Sequence, residues 1–524
     1  MSKMLKSSGA MALATLISRL LGMVREMVYA AFMGDKWVAA AFTVAFQIPN
    51  LFRRLLGEGA LTAAFIPIFK EKEKTAGEKE MWLAANAVIS GLVVASALVV
   101  AVVLLGVTVA LGAHEFAIQT ELMLRLLRWM FPYMLMVCVA AALMGMCNAR
   151  GHFFIPAMSA AVLNIVMIAS VVFLAPRWPG GLRDKIFALA VGVLVAGVAQ
   201  AAFQVPTLWR EGFRYHWVTP WGNETVGRVV RQMIPGAIGV AAFQINVVII
   251  QSLGLWLETP EHPLIASFNY AVRLMELPQG IFGISLATYM LPTLSGLAAE
   301  KDWAGFRATL RSGMEHLLLV NLLMAVLLVT EAEPIIRLLF ERGKFTAEST
   351  ARATLALECL GGSLVGYSLV NVLARAFYAV GDTKTPMKIS IFCLGLNLVF
   401  VLILVWPLRQ GGLGLANTIS SGFNFALLLF ALRKKLGRLE LKQVCSQLPV
   451  LIFATVLAAA ISWWGCQYWD GAVGHGTIVL KIGAVFVPAI VASTVYGAVV
   501  LAARVPAAHE LLDLVLHRFK RGKA

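Results

Sequence analysis

The chain has 524 residues, of which 60% are hydrophobic and 14% charged, and its mean hydropathy is +0.80. Such a composition excludes an ordinary soluble domain and defines a polytopic membrane protein. The net charge of +16 does not call for nucleic acid, because Lys and Arg gather in short connections between apolar runs, where they set topology.

The N-terminus, MSKMLKSSGAMALATLISRLLGMV, starts like a signal peptide, but Arg19 interrupts the apolar run and no small-residue cleavage site follows. A retained first helix is therefore expected. At about 20 residues per crossing, with allowance for tilt, the apolar runs predict an all-α chain of about fourteen transmembrane helices. They start near Gly9, Trp37, Met81, Glu121, Phe154, Asp184, Arg228, Pro263, Ala304, Glu348, Thr385, Leu413, Lys442 and Gly476. The basic connections all fall on one side: Lys3 and Lys6, the 70–80 run KEKEKTAGEKE, Arg150, Arg210 with Arg214, Arg228 with Arg231, Lys301 with Arg307, the Lys384 loop, the 433–438 run and the terminal HRFKRGK. GDKW, GAHEF, ETPEHP and WDGAVGHG lie opposite. Both termini are accordingly expected in the cytoplasm.

Two spacings indicate an internal repeat. Gly151 and Pro156 recur as Gly381 and Pro386, 230 residues on, and Pro67 recurs as Pro292 after 225. A duplicated six-helix unit predicts an N-lobe over 1–215 and a C-lobe over 216–438, related by an axis along the membrane normal. Two additional helices then occupy 439–505, and a basic amphipathic tail 506–524 suits the anionic cytoplasmic leaflet.

The stretch from Ala41 to Lys70 is apolar enough to enter a membrane yet carries Arg53, Arg54 and Glu58 at its middle. Each central Arg costs about 2.5 to 3.5 kcal/mol on insertion scales, so these groups are expected to face a watery cavity inside a bundle. Pro49, Gly57 and Gly59 suit a hinge in this helix. In the first helix Arg19, Gly22, Arg25 and Glu26 occupy one broad face, and in the second Asn50, Arg54 and Glu58 form a stripe with Arg53 beside it. In the eighth, Asn269, Arg273, Glu276, Gly280 and Gly283 repeat the pattern, the two glycines as a second hinge. Five arginines against three glutamates favour an anion, and guanidinium groups fork onto phosphate or carboxylate oxygens, so a diphosphate is a natural match.

Cys138, Cys147, Cys359, Cys393, Cys445 and Cys466 are scattered without a CxxC pair, and the spans hold no ligand cluster, so neither a disulfide framework nor a metal site is expected. No cofactor is expected and no enzyme motif is found: GLGLAN at 412–417 reads as helix-packing glycine. Glu258, Glu261 and His262 read as a solvated acidic loop, and Trp463, Trp464 and Trp469 as an interfacial belt.

SRLLGMVRE, AFQIPNLFRRLLGEGALTAAFIPIF, NYAVRLMELPQGIFGISLATYMLPTLS and LFERGKFT together resemble the MurJ (MviN) family of lipid II flippases, over essentially the whole chain. The resemblance implies a transporter of the MOP exporter superfamily that moves the polyprenyl-diphosphate-linked peptidoglycan precursor by alternating access in the bacterial inner membrane. It carries site roles onto Arg19, Arg25, Arg53, Glu58 and Arg273, and a lipid-tail groove onto the spans from Lys442 and Gly476. Ala40 and Gln47 depart from the family pattern, which often has Asp and Lys there. Lipid II and membrane lipids are the expected partners of a monomer, with cell-wall synthesis enzymes as candidate partners and no nucleic acid. Alternatives are an exporter of another polyprenyl-linked oligosaccharide and a membrane scaffold for cell-wall synthesis; against a scaffold stands the excess positive charge, since packing alone favours neutral pairs.

Overall fold

In a computed structural model, residues 3–52, 61–259, 262–437, 439 and 441–521 are described. Every regular element among them is a helix. Helical packing divides the chain into two compact units, Met1–Ala266 and Ser267–Ala524.

The first unit contains α1 (Lys3–Met33), α2 (Trp37–Phe52), α3 (Thr62–Ala113), α4 (Ile118–Met130), α5 (Tyr133–Ala149), α6 (Phe154–Ala169), α7 (Leu182–Arg210) and α8 (Glu224–Leu257). α1 packs on α6, α6 and α5 on α7, α3 on α5, and α8 on both α2 and α3. That last packing puts 224–257 in the first unit, so the 215/216 boundary expected for the repeat falls inside it. α3 breaks at Gly77, whose φ of 85° suits glycine, inside the charged 70–80 run that precedes the apolar stretch from Met81.

The second unit contains α9 (Ile265–Pro278), running into a π-helical turn Gln279–Ile284, then α10 (Ser285–Ala299), α11 (Trp303–Thr330), α12 (Ala332–Leu339), α13 (Ala347–Gly361), α14 (Ser363–Ala379), α15 (Lys384–Leu408), α16 (Gln410–Leu436), α17 (Lys442–Ala472), α18 (Ile478–Ala502) and α19 (Pro506–Arg521). α16 is the hub, packed by α13, α14 and α15. In GLGLAN, a Cβ at Gly414 would lie 2.7 Å from the Ala356 carbonyl oxygen, so this glycine serves close helix packing. α17 and α18 pack on each other and are bolted to the rest of the unit at three levels. Tyr496 donates its hydroxyl to the Leu319 carbonyl at 2.8 Å, Ser462 donates to buried Glu331 at 2.7 Å while accepting from Thr330, and Arg337 reaches Asp470 at 3.1 Å.

Among the described residues nine helices are long and apolar enough to cross a membrane, or up to eleven if each of two bent pairs is one span. α1, α2 and α8 stand at the expected first, second and seventh positions. The bent pairs are α4 with α5, at 46°, and α13 with α14, at 41°. Pro132 marks one bend and Gly362 the other, again 230 residues apart. Helix starts follow from capping chemistry: Asn223 accepts from the amides of Thr225 and Val226, Asp302 from Gly305, and Thr477 from Leu480.

Candidate functional site

Arg25 sits in the last third of α1 with its side chain 14% exposed. Three groups fix it. It donates to Asn164 Oδ1 of α6 at 3.1 Å and to Glu26 Oε1 at 2.5 Å, and its guanidinium lies 5.6 Å from the centroid of the Tyr29 ring. Asn164 in turn donates to the Ser18 carbonyl at 3.1 Å, so one buried amide both clamps α1 and orients the arginine. Gly22 lies against the same amide, and a Cβ there would make an ordinary contact with it at 3.7 Å. Arg25 keeps its buried Nε without a hydrogen-bond partner among the described residues. Arg19, two turns earlier, is exposed. An anion offered to this face meets one arginine held in place and one free to swing.

In the second unit Arg273 pairs with Glu276 at 2.7 Å, both about half-exposed, and Asn269 lies half-buried one turn before. Gly280 and Gly283 lie buried in the π-helical turn that follows Pro278. A Cβ at Gly283 would meet Ser368 Oγ at 2.5 Å, so the turn touches α14 too closely for any side chain. A π turn leaves backbone hydrogen bonds locally out of register and is a frequent mark of functional sites. In α2, Pro49 is buried and Asn50 half-buried. Arg53, Arg54, Gly57, Glu58 and Gly59 lie outside the described residues, and Glu26, Asn50, Asn269, Arg273 and Glu276 are placed within one unit or the other.

A third assembly lies at the ends of the helices. Arg150, in the α5–α6 turn, donates to Glu211 at 2.7 Å and to Glu73 at 2.5 Å, and lies 3.2 Å from Glu78. His152 meets the other oxygen of Glu211 at 2.8 Å. These contacts hold the Glu211 carboxyl below the usual range, the His152 hydrogen bond contributing most and Arg150 next.

Sequence reasoning missed Asn164. The available signal was a lone amide in the apolar run FIPAMSAAVLNIVMIA. It also misread the 258–262 loop: Glu258 is fully buried, its carboxylate accepting from the Ile265 amide and its carbonyl from Gln119, so it caps α9 rather than facing solvent. Glu261 lies outside the described residues. Among the described residues no group of three or more His, Cys, Asp or Glu could hold a metal ion.

The nine to eleven apolar spans among the described residues define a polytopic membrane protein, and α1 beside them carries a braced arginine. The fold is shared with a solved "Lipid II flippase MurJ, inward closed conformation", at a TM-score of 0.75 and 21% identity over 94% of this chain and 99% of that one. It is also shared with an inward-facing multidrug resistance MATE transporter of the MOP superfamily, at a TM-score of 0.65 and 12% identity over 81% and 96%.

The family profile described as "Lipid II flippase MurJ" matches residues 29–483. Curated relatives include a probable lipid II flippase MurJ of Haemophilus influenzae, 31% identical over 85% of this chain and 90% of the relative. The lipid II flippase MurJ of Burkholderia cenocepacia is 33% identical over 80% and 82%. The chain belongs to the MurJ family of lipid II flippases. It is a multi-pass protein of a bacterial inner membrane.

Proposed function

We propose that this protein carries lipid II, the polyprenyl-diphosphate-linked peptidoglycan precursor, from the cytoplasmic to the periplasmic leaflet by alternating access. The diphosphate is held by Arg19, Arg25, Arg53, Arg54 and Arg273, with Glu58 shaping the site and Glu26, Asn50, Asn269 and Glu276 supporting it. The repeated halves are 1–215 and 216–438, and rocking uses hinges at Pro49, Gly57 and Gly59 and at Gly280 and Gly283. The lipid tail follows 439–505, and both termini, including the 506–524 tail, are cytoplasmic. The protein acts as a monomer.

The observation that carries this reading is Arg25, an ionised donor oriented by Asn164 and Glu26 inside the first helix of a MurJ-family chain. Orienting a guanidinium in advance lowers the entropy lost when it forks onto phosphate oxygens. The test is transport of fluorescent lipid II in proteoliposomes. Arg25→Ala is expected to lower the rate by at least about tenfold, Arg25→Lys to recover little because an ammonium lacks the fork, and Asn164→Ala to fall between. An Arg25→Ala protein that transports at the wild-type rate overturns the site. Purified protein is expected to bind lipid II over polyprenyl monophosphate; equal binding of both removes the diphosphate from the argument.

A further inference from the structure

A second arginine-bearing site lies in the first unit, away from Arg25, where α3 ends and α4 begins. A cleft of about 720 Å3 opens there, lined by Thr108, Gly112, His114, Glu121, Arg125 and Arg128 among others. Its charges divide unequally along its length. Glu121 is taken up by Arg125 at 2.6 Å and approached by Arg183 at 3.7 Å, and Glu115 of the connecting loop also lines the cleft. Arg128, deeper along α4, is exposed and has no carboxylate partner among the described residues. Arg125, Arg128 and Arg183 against Glu115 and Glu121 leave a surplus of one positive charge.

Depth and direction identify its partner. Arg128 stands ten residues along α4 from Ile118, about 15 Å below the helix start. Helical side chains lean toward the N-terminus, which for α4 is the membrane surface, so the guanidinium reaches back toward headgroup level while its stem stays in the apolar layer. Beside the cleft, Leu98, Val102, Leu105 and Val109 of α3 form a stripe, each 59–67% exposed, that leads to Gly112 at the cleft wall. From Leu98 to Val109 it runs about 17 Å, close to half the roughly 30 Å hydrocarbon core. Such a stripe is long enough for one ordinary acyl chain.

We infer that the α3–α4 cleft is a docking site for the phosphate of a glycerophospholipid, bound by Arg128 and Arg125 with an acyl chain along the Leu98–Val109 stripe. The assignment to the periplasmic leaflet rests on the topology proposed above; the phosphate site itself does not. A lipid seated there fixes the height of the first unit in the bilayer, separately from any cargo bound at Arg25.

Native mass spectrometry of the delipidated full chain tests the inference, with phosphatidylglycerol, diacylglycerol of the same acyl chains and undecaprenyl diphosphate as probes. Wild type is expected to hold its tightest phosphatidylglycerol at least about tenfold more strongly than diacylglycerol. Arg128→Gln is expected to lose most of that preference, and Arg128→Lys to keep part of it. Unchanged binding by Arg128→Gln, in protein whose melting temperature matches wild type, overturns the site. Undecaprenyl diphosphate bound more tightly than phosphatidylglycerol in an Arg128-dependent manner overturns the glycerophospholipid. Labelling of a His114→Cys protein from the periplasm supports the leaflet, and labelling only from the cytoplasm reverses it without touching the phosphate site.

Discussion

The α5–α6 and α14–α15 connections are the same turn built twice with different charges. α5 and α14 end at residues 149 and 379, and α6 and α15 begin at 154 and 384, each pair 230 apart. In the first turn the amides of Gly151 and His152 donate to the carbonyls of Asn148 and Cys147; in the second, Gly381 and Asp382 donate to Tyr378 and Phe377, again 230 residues on. Both glycines have positive φ, 87° and 75°, which is the Schellman helix ending. Pro156 and Pro386 each stand in the first turn of the next helix, where an amide has no helical partner to lose.

The ion pairs do not follow the backbone. His152 faces Glu211 in the first unit, whereas Asp382 faces Lys435 at 2.6 Å in the second, so the shared position holds an imidazole in one turn and a carboxylate in the other. Arg150, which gathers three glutamates, corresponds to Val380. Backbone chemistry specifies the turn; the polar contacts are separate staples that different side chains can supply.

The sharpest way to break this comparison is to remove the staple from each turn. Arg150→Ala strands Glu73, Glu78 and Glu211 and is expected to cost about 2 kcal/mol, the range for part-buried hydrogen bonds between charges. Lys435→Ala is expected to cost only about 0.5 kcal/mol, since Lys435 is 40% exposed and water can solvate what remains. Thermal melts of the two purified variants compare them directly, and equal losses would show that Arg150 is no hub.

Gly151→Ala and Gly381→Ala sharpen the other half of the comparison. Neither added methyl would meet an atom within 4 Å, so the cost is the left-handed backbone alone, about 1 kcal/mol in each turn. Unequal losses in the same melts would mean that the turns are not equivalent.

The smallest effect is in pH. Lys435, and after it the Thr385 amide, hold the Asp382 carboxyl down at about 2. A depressed acid stabilises the fold fully above its unfolded value, near 4, and the contribution disappears as pH falls through about 2. Melts from pH 5 downward should therefore show the gap between wild type and Asp382→Asn narrowing below pH about 4. A gap that stays constant would detach the ion pair from stability.

Much of the fold was legible because a membrane crossing is a long, one-dimensional signal. The expected starts at Trp37, Phe154 and Lys442 coincide with helix starts, and most others fall within a few residues. Gly151 and Gly381 announced the repeat because only a special backbone conformation needs them. Bends at Pro132 and Gly362 were not legible: apolar sequence runs through both, and the bend depends on packing. Arg25 stood out as a charge in an apolar run, but its partner Asn164 lies 139 positions away. Glu258 failed for a related reason, since an acid in a polar loop looks solvated until a helix end is found to need its oxygen. Arg337 was passed over because Asp470 and His475 are more than 130 positions distant.

The three bolts on α17 and α18 have a mechanical consequence. Leu319 and Glu331, the anchoring points on and just beyond α11, are twelve residues apart, about 18 Å along a helix. Two fixed points so far apart leave only the line joining them as an axis about which the C-terminal pair could swivel against α11, and the third anchor, Arg337 on α12, removes that freedom. α17 and α18 therefore form a rigid fin on the second unit. Any acyl or prenyl chain resting against them is a passenger of that unit, displaced with it as one body rather than passed along by a paddle of its own.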